Sequence, residues 1–287
     1  MGLSEDFWTV VHKNEDDPEN GRIAYKLAFD APDGPERDAL LAISHHEGIG
    51  VKPDFEKAFD YAERAAKHDE GLALYLLGIM CDNAETPDQA EGGPRQKYDQ
   101  YDAETFMERC TKTDSCWAAP AHLWLGHFFY DSARGGDPDI AIEHFEAIGD
   151  DDEDAAAILS DHYWDMANRL EFEDQGINDK LYHWTKAAVI LRPSDYSMRY
   201  ATLLAEGIGC KQSFRLARKY YEDAYYFGRW EGAEAIALLY EKRAAETGMN
   251  SEEREKRLHE AGLWHKSADE LRLKQIAEDP DPAIEED

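Results

Sequence analysis

The side chains most capable of chemistry gather at the start of one stretch, HHEGIGVKPDFEKAFDYAERAA, residues 45–66. His45, His46 and Glu47 would together offer a metal three ligands, and Gly48-Ile49-Gly50 has the small residues that let a backbone approach a phosphate. A phosphate loop, however, follows a strand, and the residues around these glycines repeat with the spacing of a helix. A second group, Asp150, Asp152 and Asp154 in GDDDEDA, alternates as calcium-loop ligands do, but Ala155 stands where such a loop needs its sixth-position glycine. Acids ahead of a helix are favoured by its dipole, so these aspartates are expected to cap. Gly-x-Ser-x-Gly, Walker and His-Glu-x-x-His motifs are all missing, and the histidines are scattered. Cys81, Cys110, Cys116 and Cys210 form no Cys-x-x-Cys pair, so neither a zinc site nor a disulfide framework is signalled. The sequence thus nominates no catalytic residue, no metal ligand and no cofactor.

What must position residues 45–66 becomes visible on searching for repeats. EGIGVKPDFEKAFDYAERAA at 47–66 recurs, without a gap, as EGIGCKQSFRLARKYYEDAY at 206–225. In the first copy Phe55, Ala58, Ala62 and Ala65 follow the spacing of one helix face, as do Phe214, Ala217, Tyr221 and Ala224 in the second. Asp54 and Ser213 stand where each helix would begin, and both residue types cap by accepting from first-turn amides. The glycines therefore read as a turn between two helices, made of residues that adopt left-handed angles without a Cβ penalty. His45 and His46 become Leu204 and Ala205 in the second copy while Glu-Gly-Ile-Gly persists, so the turn does not require the histidines.

Weaker copies fill the interval. A large apolar residue followed by a small one recurs at Leu41-Ala42, Leu77-Gly78, Leu125-Gly126, Leu159-Ser160, Tyr200-Ala201 and Ile236-Ala237. The steps between them are those of stacked helix pairs. The longest contains a Gly- and Pro-bearing loop inserted at 84–100, and another polar loop, EFEDQGIND, is expected at 171–179.

In LLAISHHEGIGVKPDFEKAFDYAERAA (40–66), and less fully in YATLLAEGIGCKQSFRLARKYYEDA (200–224), this pattern resembles the Sel-one-like repeat (SLR), a relative of the tetratricopeptide repeat. The resemblance covers residues 36–270, closely in two copies and loosely in four. It implies an all-α fold, a right-handed α-α superhelix or solenoid of six to seven antiparallel helix pairs, whose concave side binds other proteins. Residues 1–35 would be capping helices, 36–250 the repeats, 251–277 a charged terminal helix, and 278–287 a disordered acidic tail. The resemblance also implies which positions line the concave groove: His46, Glu47, Tyr75, Asp82, His127, Tyr130, Asp131, Asp161, Trp164, Asp165 and Glu206.

These positions mix acids with aromatic rings, a combination that suits arginine and lysine side chains. Against 31 Lys and Arg stand 62 Asp and Glu, a formal net charge of −31 that disfavours nucleic-acid backbones and anionic membranes. MGLSEDFWTVV carries acids where a signal peptide needs a basic start, and no stretch is long and apolar enough to span a bilayer. The expectation is a cytoplasmic, monomeric, non-enzymatic scaffold or adaptor that binds a basic protein or peptide. A bacterial immunity protein neutralising a basic effector is the alternative, and a hydrolase ranks below both.

Overall fold

The computed structural model describes residues 2–13, 17–85, 100–131, 136–150 and 152–278. Most of the loop expected at 84–100, and residues 279–287 of the acidic tail, lie outside the described residues. Within them every regular element is an α-helix: α1 (Leu3–Val11), α2 (Pro18–Asp30), α3 (Pro35–Glu47), α4 (Phe55–Ala66), α5 (Gly71–Asp82), α6 (Gln100–Cys110), α7 (Ala118–Tyr130), α8 (Pro138–Ile148), α9 (Glu153–Arg169), α10 (Gln175–Leu191), α11 (Pro193–Glu206), α12 (Phe214–Tyr226), α13 (Trp230–Ala244) and α14 (Ser251–Glu278). The fold is all-α and of the helical-repeat solenoid class. The chain divides into two compact units, Met1–Ile148 and Gly149–Asp287. In the first, α1 packs on α2, α3 on α4, α5 on α6 and α7 on α8, and the first helices of successive pairs also touch, α1 with α3, α3 with α5 and α5 with α7. In the second, α9 packs on α10, α11 on α12 and α13 on α14.

The large-small pairs explain why the helices of a pair lie so close. Leu41, Leu77, Leu125 and Leu159 are fully buried, and a Cβ on Gly78 would lie 2.7 Å from Met107 of α6. A Cβ on Gly126 would meet the ring of Phe145 on α8 at 2.5 Å. Small residues here set the distance between paired helices, because a close-packed interior has no slack to absorb an extra methyl.

Both Glu-Gly-Ile-Gly turns are built alike. Gly48 and Gly50 have φ of 77° and 69°, and Gly207 and Gly209 have φ of 76° and 63°. Ile49 N–H donates to Ser44 O at 2.9 Å and Ile208 N–H to Leu203 O at 3.0 Å, closing each helix with the bond that satisfies its last carbonyls. Asp54 then accepts from Lys57 N–H at 3.1 Å, and Ser213 from Leu216 N–H at 3.5 Å. The second glycine has an added role. A Cβ on Gly50 would overlap the carbonyl oxygen of Gly21 in α2, and one on Gly209 that of Asn178 in α10, so each turn is also where the preceding helix pair docks.

Two expectations change. The polar loop foreseen at 171–179 is shorter, because Asp174 caps Ile177 N–H and α10 begins at Gln175. Phe55, expected on the buried face of α4, is 45% exposed and lies edge-on to His46, whereas Ala58, Ala62 and Ala65 are buried as expected.

Candidate functional site

Of the positions implied to line a groove, those in the first unit other than Tyr75 lie at the C-terminal ends of its first helices. Glu47 is the last residue of α3, Asp82 the last of α5, and Asp131 the C-cap of α7. A helix C-terminus already carries the negative end of the backbone dipole, so a carboxylate there opposes the dipole by a few tenths of a kcal/mol or more. Three successive first helices ending on an acid therefore create a negative edge that helix stability does not call for.

The same ends are tied to one another. His46, nearly buried at the end of α3, is hydrogen-bonded through Nδ1 to Glu47 at 2.6 Å and through Nε2 to Glu85, just beyond α5, at 2.9 Å. Asp82 accepts from the indole N–H of Trp124 on α7 at 3.1 Å. Tyr75 stacks on Trp117 with ring centroids 5.2 Å apart, and burial pushes its phenol pKa up. His127 and Tyr130 set their rings edge-on to Phe145, with His127 exposed and Tyr130 half exposed. Glu47, His127, Tyr130 and Asp131 are thus presented to solvent, His46 and Asp82 brace the helix ends behind them, and Tyr75 packs instead near the starts of α5 and α7.

In the second unit the structure shows what such a surface does with a guanidinium. Arg199 of α11 donates to Asp161 of α9 at 2.6 Å and to Ser160 Oγ at 2.9 Å. Its Cζ lies 5.0 Å from the Trp164 ring centre and 5.3 Å from that of Tyr196. Tyr196 O–H donates to Asp161 at 3.3 Å, and its pKa is pushed up to about 12, by burial first and by Asp161 next. Glu206, the last residue of α11, is paired with Lys242 of α13 at 2.7 Å, and Asp165 is exposed. Asp161, Trp164 and Glu206 are therefore occupied by the chain's own cations. Arg199, Lys242, Glu85 and Trp124 were missed by the sequence reading. Each lies 36 to 42 residues beyond its partner, about one repeat, and that spacing is the signal that would have found them.

Of the three aspartates of GDDDEDA expected to cap, only Asp152 does so, and the other two form ion pairs instead. Asp152 accepts from Ala155 N–H at 2.8 Å, Asp154 pairs with Arg192, and Asp150 with His183. Among the described residues, no group of three or more His, Cys, Asp or Glu side chains comes together to hold a metal ion, and no helix is long and apolar enough to cross a membrane.

The profile of the Sel1 repeat matches residues 38–70 and 195–226, which are the α3–α4 and α11–α12 hairpins with their Gly-Ile-Gly turns. The chain carries Sel1 repeats. Proteins built from Sel1 repeats are generally protein-interaction scaffolds. Among solved structures, the chain resembles a protective antigen present in uropathogenic Escherichia coli strains that displays an SLR fold. The TM-score is 0.51 and the identity 14%, over 96% of this chain and 60% of that one. The chain thus spans about 60% of the length of that relative, and the likeness shows the repeat fold alone. A Sel1 repeat protein from Oxalobacter formigenes aligns with TM-score 0.47 and 15% identity, over 91% of this chain and 96% of that one. No curated protein matches.

Proposed function

We propose that this Sel1-repeat chain is a non-enzymatic interaction scaffold whose first unit recruits a basic segment of a partner protein at the ends of α3, α5 and α7. The observation that carries the reading is the run of carboxylates, Glu47, Asp82 and Asp131, at three successive helix C-termini, with the half-exposed Tyr130 ring beside the last of them. A lysine or arginine arriving there meets carboxylate charge, the dipole ends and an aromatic face together. The Arg199 site is the internal precedent, since it holds a guanidinium with the same kinds of group.

Affinity capture from host lysate at low and moderate salt, with wild type beside a Tyr130→Ala, Asp131→Lys variant of intact helical circular dichroism, tests this reading. Retention of a basic protein by wild type alone is the expected result. Equal retention by both would place binding elsewhere on the molecule.

A further inference from the structure

The second unit carries a surface of the opposite sign. Between α12 and α13 lies a cavity of about 360 Å³ lined by Phe214, Ile236, Leu239 and Tyr240 together with Arg215, Arg218, Lys219 and Arg243. Four cations thus meet at one cavity in a chain whose acids outnumber its bases two to one. One acid, Glu222, shares the lining and is bound to Arg218 at 2.7 Å; Glu246 lies 3.9 Å from Arg243, and Glu260 of α14 also faces Arg218. The remaining charge is uncompensated. Arg215 and Lys219 are exposed and have no carboxylate at ion-pair distance among the described residues. The Arg243 guanidinium lies 5.0 Å from the centre of the Phe214 ring, and Arg218 donates to the Tyr240 hydroxyl at 2.6 Å, so the apolar floor and the cationic rim form one feature.

The first repeat copy shows that packing does not require these cations. It lies 159 residues earlier and has the same turn and caps, yet Arg215, Arg218, Lys219 and Arg243 correspond there to Glu56, Phe59, Asp60 and Ala84. The apolar floor persists, with Phe55, Leu77 and Met80 in place of Phe214, Ile236 and Leu239. The helix hairpin is thus indifferent to charge at these positions, and only the second copy makes them basic.

We infer that the α12–α13 cavity is a second binding site, one that takes a short acidic segment of a partner protein by seating an apolar side chain on Phe214, Ile236 and Leu239 and pairing flanking carboxylates with Arg215, Arg218, Lys219 and Arg243. The volume matches one or two side chains. Guanidinium groups pair with carboxylates through two parallel bonds, which gives the site direction as well as charge. A long polyanion is disfavoured because the rest of the chain is so acidic that only a short ligand meets net attraction.

Fluorescence anisotropy with a labelled peptide carrying one leucine between two pairs of glutamates tests the assignment. The comparison is an Arg215→Glu, Lys219→Glu variant, in which both changes are on exposed side chains without internal ion pairs. Wild type is expected to bind, and the charge reversal to weaken binding at least about tenfold, with thermal unfolding unchanged. Replacing the glutamates of the peptide by glutamines is expected to do the same, and replacing its leucine by glycine to weaken binding several-fold. The Tyr130→Ala, Asp131→Lys variant is expected to bind this peptide like wild type, which separates the two sites. Absence of binding, equal binding by the charge-reversed variant, or preference for inorganic polyphosphate over the peptide would each overturn the inference.

Discussion

Gly50 and Gly209 stand 159 residues apart and meet the same two demands, a left-handed backbone and contact with the carbonyl of a preceding helix. Alanine at either position meets both strain and overlap, so Gly50→Ala and Gly209→Ala should each destabilise by about 2 kcal/mol or more in urea unfolding. Half of this is legible in the sequence, since a glycine pair after an amphipathic run signals a left-handed turn. The docking against Gly21 and Asn178 is not, because those residues belong to the neighbouring pair. The histidines follow the same rule. His45 is buried between Tyr25 and Tyr61 with Nδ1 unbonded, and burial holds its pKa below the ordinary 6.5. His122 and His144 face each other through Nδ1 at 2.9 Å and are lowered likewise, chiefly by burial. A histidine whose folded pKa is depressed stabilises fully above its unfolded value, and that stability is lost as pH falls from there through the folded value. The first unit should therefore unfold at lower urea as pH drops below about 6.5. His45→Leu, the residue of the second copy, should flatten that dependence.

At the scale of elements, α14 shows the opposite sign. His265 lies between Glu234 at 3.0 Å and Glu241 at 3.1 Å on α13, and hydrogen bonds to these carboxylates, Glu234 first, raise its pKa above 6.5. Its contribution is fully present below the unfolded pKa and lost as pH rises through the folded one. Amide exchange in α14, corrected for the intrinsic rate, should therefore quicken between pH 6 and pH 8 in wild type and change less in His265→Ala. The sequence suggests a charged terminal helix at 251–277; α14 spans Ser251–Glu278 and buries Ala261 and Ala268, while Leu258, Leu263, Leu273 and Ile276 stay exposed. The start of α10 was misplaced for a local reason. Glu171 and Phe172 turn the chain at positive φ without glycine, and Asp174 capping the next helix reads, in sequence, as one more polar residue of a loop.

Over the whole molecule, two repeat copies close to the family pattern reveal the period, and the large-small pairs carry it through the intervening ones. Less legible was the fate of the acids. A list of groove positions cannot show that Arg199 and Lys242, one repeat on, already occupy Asp161, Trp164 and Glu206, because such pairing depends on how successive helices stack. The two contacts proposed above, at the acidic edge of the first unit and at the cationic cavity of the second, would make the chain a scaffold with binding sites of opposite sign. Binding at the acidic edge should weaken as salt rises, since Glu47 and Asp131 are exposed and their charge is screened over about 10 Å at 0.1 M. The measurement that bears most directly on that edge is titration of the protein with a labelled arginine-rich peptide, alongside the Tyr130→Ala, Asp131→Lys variant. Salt-sensitive binding that weakens at least about tenfold in the variant is the expected result, with the acidic peptide bound as before. Equal affinity of the two proteins for the arginine-rich peptide would contradict it.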